Sequence, residues 1–187
     1  MSLVYEIVDQ RDIQKKTKAR YPSAFIVAKL LKIANAKTVL DVTYGRGRFY
    51  AWEKPQTLIG VDPKKWKWIV EPNIFYQMTV FRFCREIEEG NIKLNQVDIV
   101  VVDPPAWHYG ITYNKRDEYA YIIGTPQTII EQSLKAARLL NSRYLLLHFN
   151  KMLDLGEKLY IIQFRWFSRY LYTENKNKSY YILYKLH

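Results

Sequence analysis

Three carboxylates of this 187-residue chain each close a short apolar run. Asp41 follows Val39-Leu40 and leads into Val42-Thr43-Tyr44-Gly45-Arg46-Gly47. Asp62 follows Leu58-Ile59-Gly60-Val61, and Asp103 follows Val97-Asp98-Ile99-Val100-Val101-Val102 and opens Asp103-Pro104-Pro105. Gly45 and Gly47 can take positive φ and let a ligand approach the backbone closely. An acid about twenty residues beyond such a turn, as Asp62 is beyond Asp41, can bind ribose hydroxyls. At Asp103 the two prolines fix φ and remove donors, so the loop offers acceptors in a stiff frame.

These residues need strands to carry them. Each apolar run reads as a buried strand that delivers its polar residue at its carboxyl end, where open α/β sheets bind ligands. Tyr21-Pro22-Ser23 opens a largely buried helix that stops near Asn35, with Pro22 suited to the first turn. Arg48 to Trp52 can form only a short helix before Pro55. Ile74 to Gln77 is a third strand. Thr125-Pro126 caps a helix that ends at Asn141, and Tyr144 to Phe149 is a fifth strand. Leu153 to Ile162 reads as a helix. Phe164 to Tyr172 and Ser179 to Lys185 read as a hairpin.

The set Asp41-Val42-Thr43-Tyr44-Gly45-Arg46-Gly47, Asp62 and Asp103-Pro104-Pro105 resembles the class I S-adenosylmethionine (SAM) dependent methyltransferases. It is most similar to those that methylate exocyclic amines of nucleic-acid bases, whose signature is Asp/Asn/Ser-Pro-Pro-aromatic. The resemblance covers about Tyr21 to Lys185. It implies an α/β, Rossmann-like class I methyltransferase fold. The sheet would be mostly parallel and seven-stranded, with a closing antiparallel hairpin and helices on both faces. It implies SAM as cofactor, held by Asp41, Thr43, Tyr44, Gly45, Gly47, Asp62 and Pro63, with Tyr21 closing over its methionine end. The family often has an acid after the third strand; here Met78-Thr79-Val80 stand there.

The resemblance also assigns the chemistry. An exocyclic amine is a poor nucleophile because its lone pair is delocalised into the ring. Asp103 and the Pro104 carbonyl, framed by Pro105, would accept its two hydrogens and favour a pyramidal nitrogen. The base must be flipped out or unpaired. The aromatic that would stack on it is replaced by Ala106, which passes the role to Trp107, His108 or Tyr109. DNA N6-adenine or N4-cytosine methylation is favoured. Alternatives are an RNA base methyltransferase, a small-molecule methyltransferase and a non-catalytic SAM-fold subunit that binds nucleic acid. Asp-Pro-Pro-Ala also resembles some ribosomal-RNA enzymes, including ones that act on cytosine C5. Carbon methylation needs a cysteine nucleophile, and Cys84 lies in no such motif.

Composition points the same way. Lys+Arg is 29 against Asp+Glu 18, a net charge of +11, which suggests a polyanionic partner, nucleic acid before an anionic membrane. Hydrophobic residues are 49%, so disorder is excluded. The chain reads as a single domain over residues 1–187, with residues 1–20 as a basic N-terminal arm. Lys15, Lys16 and Lys18 of that arm are either solvated or in contact with phosphate. No run is long enough to span a membrane, and a single cysteine fits a reducing cytoplasm. His108, His148 and His187 show no metal-ligand spacing. No segment has the size of a target-recognition domain, so site choice falls to the loop, the arm or a specificity partner protein.

Overall fold

The computed structural model describes residues 2–104, 125–166 and 178–186. Eight strands form one open sheet: β1 (Val4–Asp9), β2 (Thr38–Asp41), β3 (Thr57–Val61), β4 (Ile74–Tyr76), β5 (Ile99–Val102), β6 (Tyr144–Phe149), β7 (Glu157–Arg165) and β8 (Lys178–Lys185). Their order is β1-β7-β8-β6-β5-β2-β3-β4. β8 runs antiparallel to both neighbours, and the other pairs are parallel, so the sheet is mixed. Four helices are described: α1 (Gln10–Thr17), α2 (Pro22–Ile33), α3 (Val80–Glu88) and α4 (Pro126–Leu139). None is long and apolar enough to cross a membrane.

The central strands are continuous apolar runs because both of their faces are covered. Successive side chains alternate between those faces. Val39, Leu58, Ile99, Val101 and Leu146 pack with Ile13 of α1 and with Val27 and Leu30 of α2. Leu40, Ile59, Val100 and Leu145 pack on the other side with Phe83 and Cys84 of α3 and with Ile129 and Ala137 of α4. Each such side chain contributes roughly 1.5–3 kcal/mol, so a charge at Val100 or Val101 is expected to prevent folding.

Local chemistry sets the helix ends. Pro22 opens α2, and Asn35 follows it with a left-handed φ of 48°. Thr79 caps α3 by accepting the Arg82 N–H at 3.3 Å, and Thr125 caps α4 by accepting the Thr128 N–H at 3.2 Å. Arg48–Tyr50 is a single 3-10 turn, as short as Pro55 requires.

Several sequence expectations are corrected. Most of the N-terminal arm is ordered: β1 adds an eighth strand beside β7, and Asp9 caps α1 by accepting the Arg11 N–H at 2.8 Å. Glu6 holds that edge, receiving Lys29 Nζ at 2.7 Å and the Tyr160 hydroxyl. The stretch from Leu153 to Ile162 is not a helix. Tyr160, Ile162 and Phe164 alternate with Ile161 and Gln163, a period of two, and β7 runs from Glu157. β8 therefore pairs with residues 157–165, and it lies inside the sheet rather than at its edge. Helix α3 has no counterpart in the sequence reading. Its signal was present in Thr79 followed by Val80, Phe83, Cys84 and Ile87 at helical spacing.

Candidate functional site

The carboxyl ends of β2, β3 and β5 meet around a cavity of about 130 Å³. Val42, Thr43 and Gly45 line it from the glycine loop, Asp62, Pro63 and Trp66 from the segment after β3, and Asp103 from the end of β5. The first turns of α3 and α4 add Thr79, Val80 and Ile129. Residues far apart in the chain thus face one space, as strand ends in a parallel sheet require.

Hydrogen bonds tie the three segments together. The Asp103 N–H donates to Thr43 Oγ at 2.7 Å. Asp62, 2% exposed, accepts the Gly45 N–H at 2.9 Å, the Lys64 N–H at 2.8 Å and Trp66 Nε1–H at 3.2 Å. Gly45 has φ +54°, and a Cβ there would meet nothing nearer than the Thr43 carbonyl at 3.9 Å, so its bareness leaves open space at the cavity. Gly47 differs. A Cβ there would lie 2.5 Å from the Val70 carbonyl and 2.6 Å from the Tyr44 hydroxyl.

Two predicted cofactor residues support the loop from beneath. Asp41 is 2% exposed and accepts the Thr43 N–H at 2.9 Å, the Thr43 hydroxyl at 3.3 Å and the Tyr50 hydroxyl at 2.8 Å. Burial raises its carboxyl to about 7; these donors oppose the rise and the nearby Asp103 charge adds to it. Tyr44 lies across Gly60, where a Cβ would come within 2.7 Å of its ring, and its hydroxyl donates to the Val70 carbonyl at 2.7 Å. Neither residue lines the cavity, nor does Gly47.

Asp103 has a partner that the sequence did not suggest. His148 Nδ1 lies 2.8 Å from Asp103 Oδ1, and His148 Nε2 lies 2.9 Å from the Ser179 hydroxyl. The imidazole stacks on Tyr181 with ring centroids 4.1 Å apart, and Phe49 meets it edge-on at 5.9 Å. The cause is register. Val102 pairs with Leu147, which brings the next residues level, and His148 pairs with Tyr181 across the antiparallel ladder. Only the sheet order reveals this.

No family model matches the chain, and no curated protein does.

The remaining expectations divide. Pro104 is buried beside Asp103, whereas Pro105, Trp107, His108 and Tyr109 lie outside the described residues. Tyr21 is the residue before α2, with the guanidinium of Arg20 5.3 Å and that of Arg48 5.8 Å from its ring centre. Lys15 and Lys16 stand exposed in α1, and Lys18 follows it as the C-cap. Lys64 lies 4.2 Å over the Trp66 ring and Lys65 5.2 Å over the Trp68 ring.

Charge pairing is partial. Ion pairs such as Arg143–Asp98, Lys135–Glu88, Lys185–Glu157 and Lys158–Asp154 bind cations elsewhere on the surface. Among the described residues many other cations pair with no carboxylate, among them Lys15, Lys16, Lys37, Lys54, Arg85, Lys93 and Arg138 as well as Lys18, Arg20, Arg46, Arg48, Lys64, Lys65 and Lys67. Lys64, Lys65 and Lys67 belong to the segment after β3 that supplies Asp62, Pro63 and Trp66 to the cavity.

Proposed function

We propose that this chain is a SAM-dependent methyltransferase that acts on an exocyclic amine of a nucleic-acid base. The observation that carries this reading is the convergence of the Thr43–Gly45 loop, Asp62 and Asp103 on one cavity, with Asp103 tied to Thr43 at 2.7 Å. The sheet supports it as well. From β2 to β8 there are seven strands with a single antiparallel member, in keeping with the resemblance, and β1 is an addition at the edge.

The cavity residues fit the cofactor. Open space beside Gly45 admits a ligand to the loop backbone, and Asp62 presents a carboxylate to ribose hydroxyls. Pro63, Trp66, Val80 and Ile129 supply apolar wall. When bound, SAM supplies an electrophilic methyl group. Asp103 accepts a hydrogen bond from the amine, and the Pro104 carbonyl is the second acceptor. Both draw density toward the nitrogen and stabilise its developing positive charge. The product ammonium is acidic and loses its proton to Asp103 or to water. Nucleophilic chemistry through Cys84 is disfavoured: the thiol is buried in α3, its Sγ lies 3.4 Å from the Gln132 carbonyl, and burial pushes it up to about 11.

The net charge of +11, with Lys64, Lys65 and Lys67 in the segment that supplies Asp62, Pro63 and Trp66 to the cavity, favours a polyanionic substrate over a small molecule. Labelled SAM incubated with separate DNA and RNA pools, followed by nucleoside mass spectrometry, tests the reading. N6-methyladenine or N4-methylcytosine is expected. Labelled methyl in neither pool overturns it.

A further inference from the structure

Asp103 has two carboxylate oxygens, and the described structure occupies one of them. Oδ1 faces His148 Nδ1 at 2.8 Å. Among the described residues Oδ2 receives no hydrogen bond, and the Asp103 side chain is 42% exposed at the cavity. A carboxylate only accepts, so the imidazole carries a hydrogen on Nδ1. Nε2 lies 2.9 Å from the Ser179 hydroxyl, which can donate to it or accept from it. The Tyr181 stack and the Phe49 edge fix the ring plane.

We propose that His148 is a positioning residue for Asp103. By holding Oδ1 it turns Oδ2 toward the hydrogen of a substrate amine, and Ser179, bonded to Nε2, holds the ring at its other end. The role rests on the methyltransferase reading above.

The order hydroxyl, imidazole, carboxylate is also that of a hydrolytic triad. Here Ser179 is 8% exposed within β8 and does not line the cavity. Its hydroxyl supports the ring rather than attacking a substrate. The ionisable groups facing the imidazole are Asp103 and Tyr181, and burial holds the Tyr181 hydroxyl far above its usual range, hence neutral.

A purely structural tie between β5, β6 and β8 predicts a loss of stability and nothing else. Three variants separate the two roles. H148F keeps a flat ring against Tyr181 and removes both nitrogens. H148N places an amide donor near the position of Nδ1. S179A removes the hydrogen bond at Nε2. We expect H148F to lower kcat on the order of 10–100-fold, with KM for SAM and for nucleic acid within about twofold. H148N should recover most of the loss, and S179A should fall between. Independently of activity, the ring 15N shifts of His148 should report a hydrogen on Nδ1 in the wild type, and that tautomer preference should weaken in D103N, whose amide no longer only accepts. A folded H148F with wild-type kcat overturns the role, as does an H148N no better than H148F at equal Tm. A wild-type protein that methylates no nucleic acid removes the reading on which the role rests, and the role falls with it. Ring 15N shifts of His148 unmoved by D103N overturn the pairing itself, whatever the transfer assay shows.

Discussion

The hydroxyl of Thr43 accepts the backbone N–H of Asp103 at 2.7 Å, which joins the glycine loop to the Asp-Pro segment. Thr43→Val keeps the shape and removes the acceptor. The Asp103 N–H is then unpaired in a half-buried position, at a cost of about 1–3 kcal/mol. Thr43→Ser should restore most of that. Urea denaturation of the two variants measures it, and equal midpoints would show that the bond carries no weight.

Asp62 has two jobs. It accepts the Gly45 and Lys64 N–H groups, and it lines the cavity. Asp62→Ala removes both, and SAM affinity should fall by about 1.5–3 kcal/mol, as for a lost charged hydrogen bond. Asp62→Asn keeps the size but turns an NH2 either toward the Gly45 N–H or toward the Lys64 and Trp66 donors, so it should lose stability as well as bind SAM more weakly. Calorimetry and thermal melting on both variants provide the comparison. Unchanged SAM affinity in Asp62→Ala would remove Asp62 from the cofactor site.

Asp41 makes stability depend on pH. Its carboxyl is raised to about 7 in the fold, against 3.8 as the ordinary value. The folded state thus holds this proton more tightly than the unfolded chain. The associated stability is complete below pH 3.8, fades as pH rises, and is gone above about 7. Over that window it amounts to something on the order of 4 kcal/mol. Asp41→Asn has no proton to lose, so its stability should lack this decline. Denaturation series of both proteins across the window should diverge with rising pH, the wild type losing ground. Parallel curves would mean that Asp41 stays ionised throughout.

What the sequence discloses depends on how local the signal is. Asp41, Asp62 and Asp103 are legible because each ends an apolar run, and runs of Val, Ile and Leu need both faces covered. Gly47 is legible as a turn residue, but its real constraint is the Tyr44 ring and the Val70 carbonyl, which no local pattern discloses. β7 was misread because Leu153 and Leu155 extend the apolar spacing ahead of it, whereas they belong to the segment before the strand and pack on the core. β1 looked like an arm because Leu3, Tyr5 and Ile7 stay exposed, and its anchors Lys29 and Tyr160 lie far off in the chain. His148 reaches Asp103 only through the β5–β6 register, so no spacing in the sequence could announce it.

The unpaired cations give the sharpest test of the partner. If Lys64, Lys65 and Lys67 touch phosphates, log affinity for nucleic acid falls linearly with log salt, and each lost contact flattens the slope by about 0.7–0.9. Replacing all three with Ala should therefore reduce the slope by roughly two. Lys64 and Lys65 also cover Trp66 and Trp68, so SAM affinity must be measured on the same protein. It should stay constant. Lys135 is the control. It is engaged by Glu88 at 2.8 Å on the face of α3 and α4, so Lys135→Ala should leave the slope unchanged. A parallel triple at Lys15, Lys16 and Lys18 asks whether α1 shares the track. If only that triple flattens the slope, nucleic acid crosses α1 rather than the segment after β3. If neither does, the charge beside the cavity serves no polyanion, and the small-molecule alternative gains the ground that the nucleic-acid reading loses.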